Sequence, residues 1–181
     1  MIRLEQPALA LHSHDVPGYK YKMQFTETLR DDASVETVVA RILLAINATP
    51  EKHLKNVVIN CHGSWGELHV GTGHTINTGN LGVMRLLQRT GPKVDTIWLV
   101  ACLVAGFNDP QYHRRQLPVK LGAFFCKSLA KAAGCYVVAA EKTQYVNPGF
   151  YLRLCPKYCI DDFEGPVYRW DKDGKEEDFK P

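Results

Sequence analysis

The chain has 181 residues, of which 45% are hydrophobic and 23% charged, with 10 prolines and 14 glycines. That length suits one domain with a sizeable core, and the composition argues against wholesale disorder. A net charge of +3, without basic runs interleaved with aromatics, gives no argument for a nucleic-acid partner. No apolar run is long enough to span a membrane and no signal peptide is evident, so neither a membrane nor a secretory route is expected. Cys61, Cys102, Cys126, Cys135, Cys155 and Cys159 match no zinc-ligand spacing. No metal or other cofactor is expected, and reduced thiols are favoured.

Taken in order, Pro7 to His12 and Tyr19 to Thr26 read as strands, the second a candidate edge. Asp31-Asp32-Ala33-Ser34 offers a helix start, and Val35, Val38, Val39, Ile42, Leu43 and Ile46 recur at helical spacing until Pro50. Asn56 to Ile59 is a continuous apolar stretch that runs through Asn60-Cys61 into His62-Gly63. Ser64 to Gly79 holds alternating Leu68, Val70 and Ile76 among four glycines and reads as a small hairpin over the sheet edge. Its Gly71-Thr72-Gly73 does not open a helix, which argues against a dinucleotide loop. Leu81, Met84, Leu86 and Leu87 mark a crossover helix ended by Gly91-Pro92.

Thr96 to Ala101 then runs a second β-branched stretch into Cys102. Strands buried on both faces of a parallel sheet read this way, and a helical crossover between them makes them parallel neighbours. His62 and Cys102 are thereby expected side by side at the carboxyl edge, where open α/β sheets bind ligands. A thiol beside an imidazole is the minimal machinery for nucleophilic catalysis. Asn108 to Pro118, with His113-Arg114-Arg115, is either a groove-lining loop or a solvated one. Leu121 to Ala133 is an amphipathic helix closed by Gly134, and Cys135 to Ala140 is a third buried strand ending at Glu141-Lys142-Thr143. Phe150–Leu154 and Pro166–Trp170 suggest a terminal hairpin, with residues 1–170 as the domain and 171–181 as a charged, frayed tail.

From Val57 to about Val146 this order resembles the caspase-like (clan CD) cysteine peptidases. The residues that carry it are Cys61-His62-Gly63, Gly66-Glu67-Leu68-His69-Val70-Gly71, Leu99-Val100-Ala101-Cys102, the helix Gly122 to Ala130 and the strand Val137 to Ala140. The wording His-Gly-Ser-Trp-Gly-Glu-Leu and Ala-Cys-Leu-Val-Ala-Gly is closest to the self-processing peptidase domains of large bacterial toxins, to CHAT peptidases and to a related domain of bacterial surface proteins. The resemblance implies an α/β fold of three layers, a mainly parallel sheet flanked by helices. It also implies a cysteine endopeptidase, cytoplasmic or delivered as an effector, acting on a protein or peptide substrate.

On that resemblance Cys102 is the nucleophile, His62 the base or orienting group, and the N–H groups of Gly63 and Cys102 the oxyanion hole. Animal caspases carry Gln-Ala-Cys at the nucleophile, whereas this chain has Val100, which argues against strict aspartate specificity. The substrate pocket is expected beside Val100 and Glu141. If Glu141 points in, a basic side chain is favoured and Arg114-Arg115 becomes a self-cleavage site. If it points out, a small or leucine-like residue is favoured. Trp65 caps the site or packs on the sheet, and His69 and His74 are further histidines of the hairpin. Cys61 is the rival thiol and is expected in the core. Two other readings remain: a thiol-dependent deamidase or acyltransferase, and a caspase-like binding or effector module without catalysis.

Overall fold

The computed structural model describes residues 1–17, 20–89, 91, 93–106, 121–144 and 156–181. Its centre is a seven-stranded mixed sheet. In spatial order the strands are β3 (Phe25–Thr28), β2 (Ala8–His12), β4 (Leu54–Asn60), β8 (Val94–Val100), β9 (Tyr136–Ala140), β11 (Val167–Trp170) and β12 (Glu176–Asp178). The first five run parallel, and β11 and β12 close one end antiparallel. Strand β2 is buried throughout, and β4 and β9 nearly so, as expected of apolar runs covered on both faces. The chain is therefore α/β. Among the described residues no helix is long and apolar enough to cross a membrane.

The connections decide what covers each face. α1 (Val35–Ala48) joins β3 to β4, a 3-10 helix (Leu81–Gln88) joins β4 to β8, and α2 (Leu121–Ala133) lies between β8 and β9. All three connections step the same way along the sheet, and right-handed crossovers then place all three helices on one face. One core cluster bears this out: Val38 and Ile42 of α1, Met84 and Leu87 of the 3-10 helix, and Phe125 and Leu129 of α2 meet Leu9, Leu11, Val57, Ile59, Ile97, Leu99, Val137 and Ala139. The β2-to-β3 connection steps the opposite way, and its Tyr21 and Met23 lie in the other cluster, with Ala10, Val58, Trp98 and Val138. That second face is completed by Leu4, Ile160 and Phe163, next to the small pair β1 (Ile2–Arg3) and β10 (Cys159–Ile160). Among the described residues helices cover one face, and extended segments cover the other.

Local signals account for most of the elements. Ser34 is the N-cap of α1, and its N–H donates to Thr37 Oγ1 at 3.3 Å, one half of a capping box. α2 ends at Ala133, where Gly134 takes φ +70° and donates its N–H to the Ala130 carbonyl at 2.8 Å; glycine adopts that conformation without the Cβ penalty. The crossover after β4 is 3-10 rather than α because its buried residues, Leu81, Met84 and Leu87, fall every third position. Leu86, which with these three marks the crossover in the sequence, is 40% exposed.

Two expectations are changed. Of the strand expected at Tyr19–Thr26, only Phe25 and Thr26 lie in β3, the sheet's edge; Tyr19 lies outside the described residues. The charged tail at 171–181 supplies β12, the outermost strand. Glu176 accepts the Trp170 Nε1–H at 3.0 Å, Glu177 pairs with Arg169, and Phe179 packs 6.0 Å from the Trp98 ring. One cross-strand ion pair, one side-chain hydrogen bond and one aromatic anchor hold a segment whose composition alone suggests fraying. The expected strand Phe150–Leu154 and the basic cluster at 113–115 lie outside the described residues.

Candidate active site

Each half of the site begins where a central strand ends. β4 stops at Asn60, and Cys61 bridges to a separate three-stranded antiparallel sheet of β5 (His62–Ser64), β6 (Glu67–Gly71) and β7 (His74–Ile76). His62 is therefore the first residue of a strand leaving the main sheet. Its side chain is 51% exposed, and its Nε2 lies 4.0 Å from Asp15 Oδ2. β8 stops at Val100, two residues before Cys102, so the cysteine sits in a turn and not on the strand.

That turn is tightly held. Leu103 takes φ +59°, a left-handed conformation costly for a branched side chain. It persists because Leu103 N–H donates to the Lys142 carbonyl at 3.2 Å, Ala105 N–H to that of Ala140 at 3.2 Å, and Gly106 N–H to that of Leu103 at 2.9 Å. The first two bonds tie the turn to the end of β9. On the other side Gly66 N–H donates to the Val104 carbonyl at 3.3 Å. Gly63 then packs against the turn so closely that a Cβ there would lie 2.9 Å from the Cys102 carbonyl oxygen and 2.8 Å from Val104 Cγ2. Only glycine lets the two backbones approach this far.

The structure thus brings His62-Gly63 and Cys102 onto adjoining backbone segments. The Cys102 thiol is half-buried and donates to the Gln144 carbonyl at 3.5 Å; among the described residues it makes no hydrogen bond to His62. The Cys102 N–H has no acceptor among the described residues. Cys61 behaves as a core residue: it is buried in the helix-side cluster, and burial pushes its thiol far above the usual range.

The expected pocket residues separate. Val100 packs on the second face, with Trp98 and Phe163, whereas Glu141 accepts the Tyr168 hydroxyl at 3.4 Å, and Tyr168 packs on the helix face. The period-two alternation of strands puts Ala140 on Val100's face and Glu141 on the opposite one. Trp65, at the β5–β6 turn, places its Cδ1 2.9 Å from where a Cβ on Gly106 would be, so it lies on the loop that follows Cys102. His69 sits directly across the ladder from His62, and its ring is 3.3 Å from Ser64 Oγ. His74 is exposed on β7.

Sequence reasoning missed Asp15. It lies in the turn after β2, where the neighbouring connections leave for opposite faces, the switch point at which open sheets form a crevice. Burial pushes the Asp15 carboxyl up, but the Ser13 hydroxyl, its own N–H and the charges of His62 and His14 outweigh that and hold it below the usual range. The signal was Asp15-Val16-Pro17 directly after a buried strand, read only as a turn. Beneath it His12, 1% exposed, has Nδ1 3.0 Å from Asn60 Nδ2 and Nε2 3.3 Å from the Tyr21 carbonyl. Burial, the largest influence, lowers its pKa to about 4. Among the described residues no group of three or more His, Cys, Asp or Glu is arranged to hold a metal ion.

No protein-family model matches the chain, and neither curated proteins nor solved structures yield a significant match.

Proposed function

We propose that the chain is a caspase-like cysteine endopeptidase, with Cys102 as nucleophile and His62 as base. The observation that supports the proposal is the close approach of Gly63 to the Cys102 turn, which brings the segment bearing His62 against the segment bearing a half-buried thiol, each just past the end of one of two parallel neighbouring strands. In the reaction His62 takes the thiol proton and Cys102 Sγ attacks the scissile carbonyl carbon. The charge developing on its oxygen is met by the N–H groups of Cys102 and Gly63. Collapse breaks the C–N bond, His62 returns the proton to the departing amine, and a thioester remains. Water, deprotonated by His62, then hydrolyses it and restores the thiol. Asp15, whose Oδ2 lies 4.0 Å from His62 Nε2, stabilises the imidazolium formed in each half.

The thiol must leave Gln144 for this to happen, a rotation common to catalytic pairs that tighten only with substrate bound. The same bond favours a second reading, a caspase-like binding module whose thiol is idle. A thiol-directed acyloxymethyl-ketone probe, followed by mass spectrometry of a peptide library, separates the two. Labelling at Cys102 with cleaved peptides supports the peptidase. Labelling with deamidated or acyl-transferred products leaves the thioester chemistry but changes the reaction. Absence of both labelling and products supports the binding module.

A further inference from the structure

Four titratable side chains from two loops and one strand form a row at the carboxyl ends of β2 and β4. Asp31 holds His14 through Nε2, His14 Nδ1 lies 4.0 Å from Asp15 Oδ1, and Asp15 Oδ2 lies 4.0 Å from His62 Nε2. Asp15 Oδ1 also accepts the Ser13 hydroxyl, so one carboxylate oxygen is engaged and the other is left to face the imidazole. Asp31 is itself anchored, because its carbonyl accepts the Thr72 N–H at 2.8 Å from the β6–β7 hairpin. Among the described residues no hydrogen bond or ion pair joins His14 or Asp31 to Cys102 or His62, and the peptidase reading assigns them nothing.

We propose that His14, anchored by Asp31 and carrying a proton on both ring nitrogens, is a positioning residue that keeps the Asp15 carboxylate facing His62 Nε2. The inference rests on the reading that Cys102 and His62 act as a pair. At 4.0 Å the Asp15 carboxylate is too far from Nε2 for a hydrogen bond, but its charge faces that nitrogen and favours a proton there, which leaves Nδ1 as the basic nitrogen. The other groups around it are His69 opposite His62, with Ser64 on its ring, the buried Cys61 thiol, Cys102, and the Arg30–Asp32 pair flanking Asp31.

The test follows iodoacetamide alkylation of Cys102 in the full chain across the titration range of histidine, together with the ring nitrogen shifts of His62. His14→Phe and Asp31→Asn are expected to slow alkylation on the acidic limb about fivefold, the size of a unit-charge contact of about 4 Å in a solvent-rich setting. They should also move His62 from one tautomer to a mixture. His14→Gln, whose amide still donates to a carboxylate, is expected to restore much of both. In an Asp15→Asn background the His14→Phe effect should vanish. Unchanged or faster alkylation with an unchanged His62 tautomer overturns the proposal, as does an effect of equal size in the Asp15→Asn background. If His62→Ala alkylates like the native chain, the paired reading falls, and the positioning role is then decided by the His62 nitrogen shifts alone.

Discussion

The carboxyl edge of the sheet carries two histidine–cysteine sets with opposite fates. His12 and Cys61 are 1% and 4% exposed, the first hydrogen-bonded at both ring nitrogens, the second sunk in the helix-side core. His62 and Cys102 lie one step further out, on segments that have left the sheet, with His62 half-exposed and Cys102 in a turn. The residue types are the same, yet burial removes from the inner set the charged forms that proton transfer and thiolate attack require. The outer set escapes that burial, and His62 has the Asp15 carboxylate 4.0 Å away.

The largest effect should come from the thiols. Cys102→Ala is expected to abolish labelling by a thiol-directed probe and any peptide cleavage, a loss of several orders of magnitude of the kind seen when a nucleophile is removed. Cys61→Ala should leave labelling in place. Intact-mass measurement of the two variants checks this, and equal labelling of both would erase the distinction between the sets.

The inner histidine gives the next effect. His12 has a folded pKa of about 4 against an ordinary 6.5. Between those values the unfolded chain binds more protons, so folding stability is full above about pH 6.5 and falls as pH drops towards 4, by an amount of order 3 kcal/mol. Urea unfolding at a series of pH values should show this slope in the native chain, and His12→Gln should flatten it. An unchanged slope in that variant would mean that His12 is protonated in the folded state.

Gly63→Ala sharpens the comparison from the outer side. Its Cβ would fall 2.9 Å from the Cys102 carbonyl, so the Cys102 turn must shift. The expected cost is about 1–3 kcal/mol in stability, with slower Cys102 labelling and unchanged Cys61. Thermal unfolding and labelling rates measure both. The smallest effect is expected at Glu141→Gln. With Glu141 against Tyr168 and on the face opposite Val100, the change should cost under about 1 kcal/mol and leave any preference for basic substrate residues untouched. A lost basic preference in a peptide-library profile would return Glu141 to the pocket.

The apolar runs that became β4, β8 and β9, the α1 and α2 helices with their Ser34 and Gly134 boundaries, and the pairing of the His62 and Cys102 segments were legible from pattern, because period, caps and glycine act locally. Even Cys61's place in the core followed from its position next to His62 at the end of a buried run. The rest depends on what meets across the fold. Strand order, and with it the covering of one face by helices, follows from the direction of each crossover, which no local window contains. The 171–181 segment reads as solvated charge until Arg169 and Trp170 appear opposite its glutamates. Asp15 lies 47 residues before His62 in sequence and within 4.0 Å in space. Glu141 and Val100, adjacent in the expected pocket, are parted by the pleat of the very strands that suggested them. Spacing along the chain marks the histidines and cysteines at the strand ends, and only long-range packing sets which of them remain hydrated, which carboxylate they face and which side of the sheet they share.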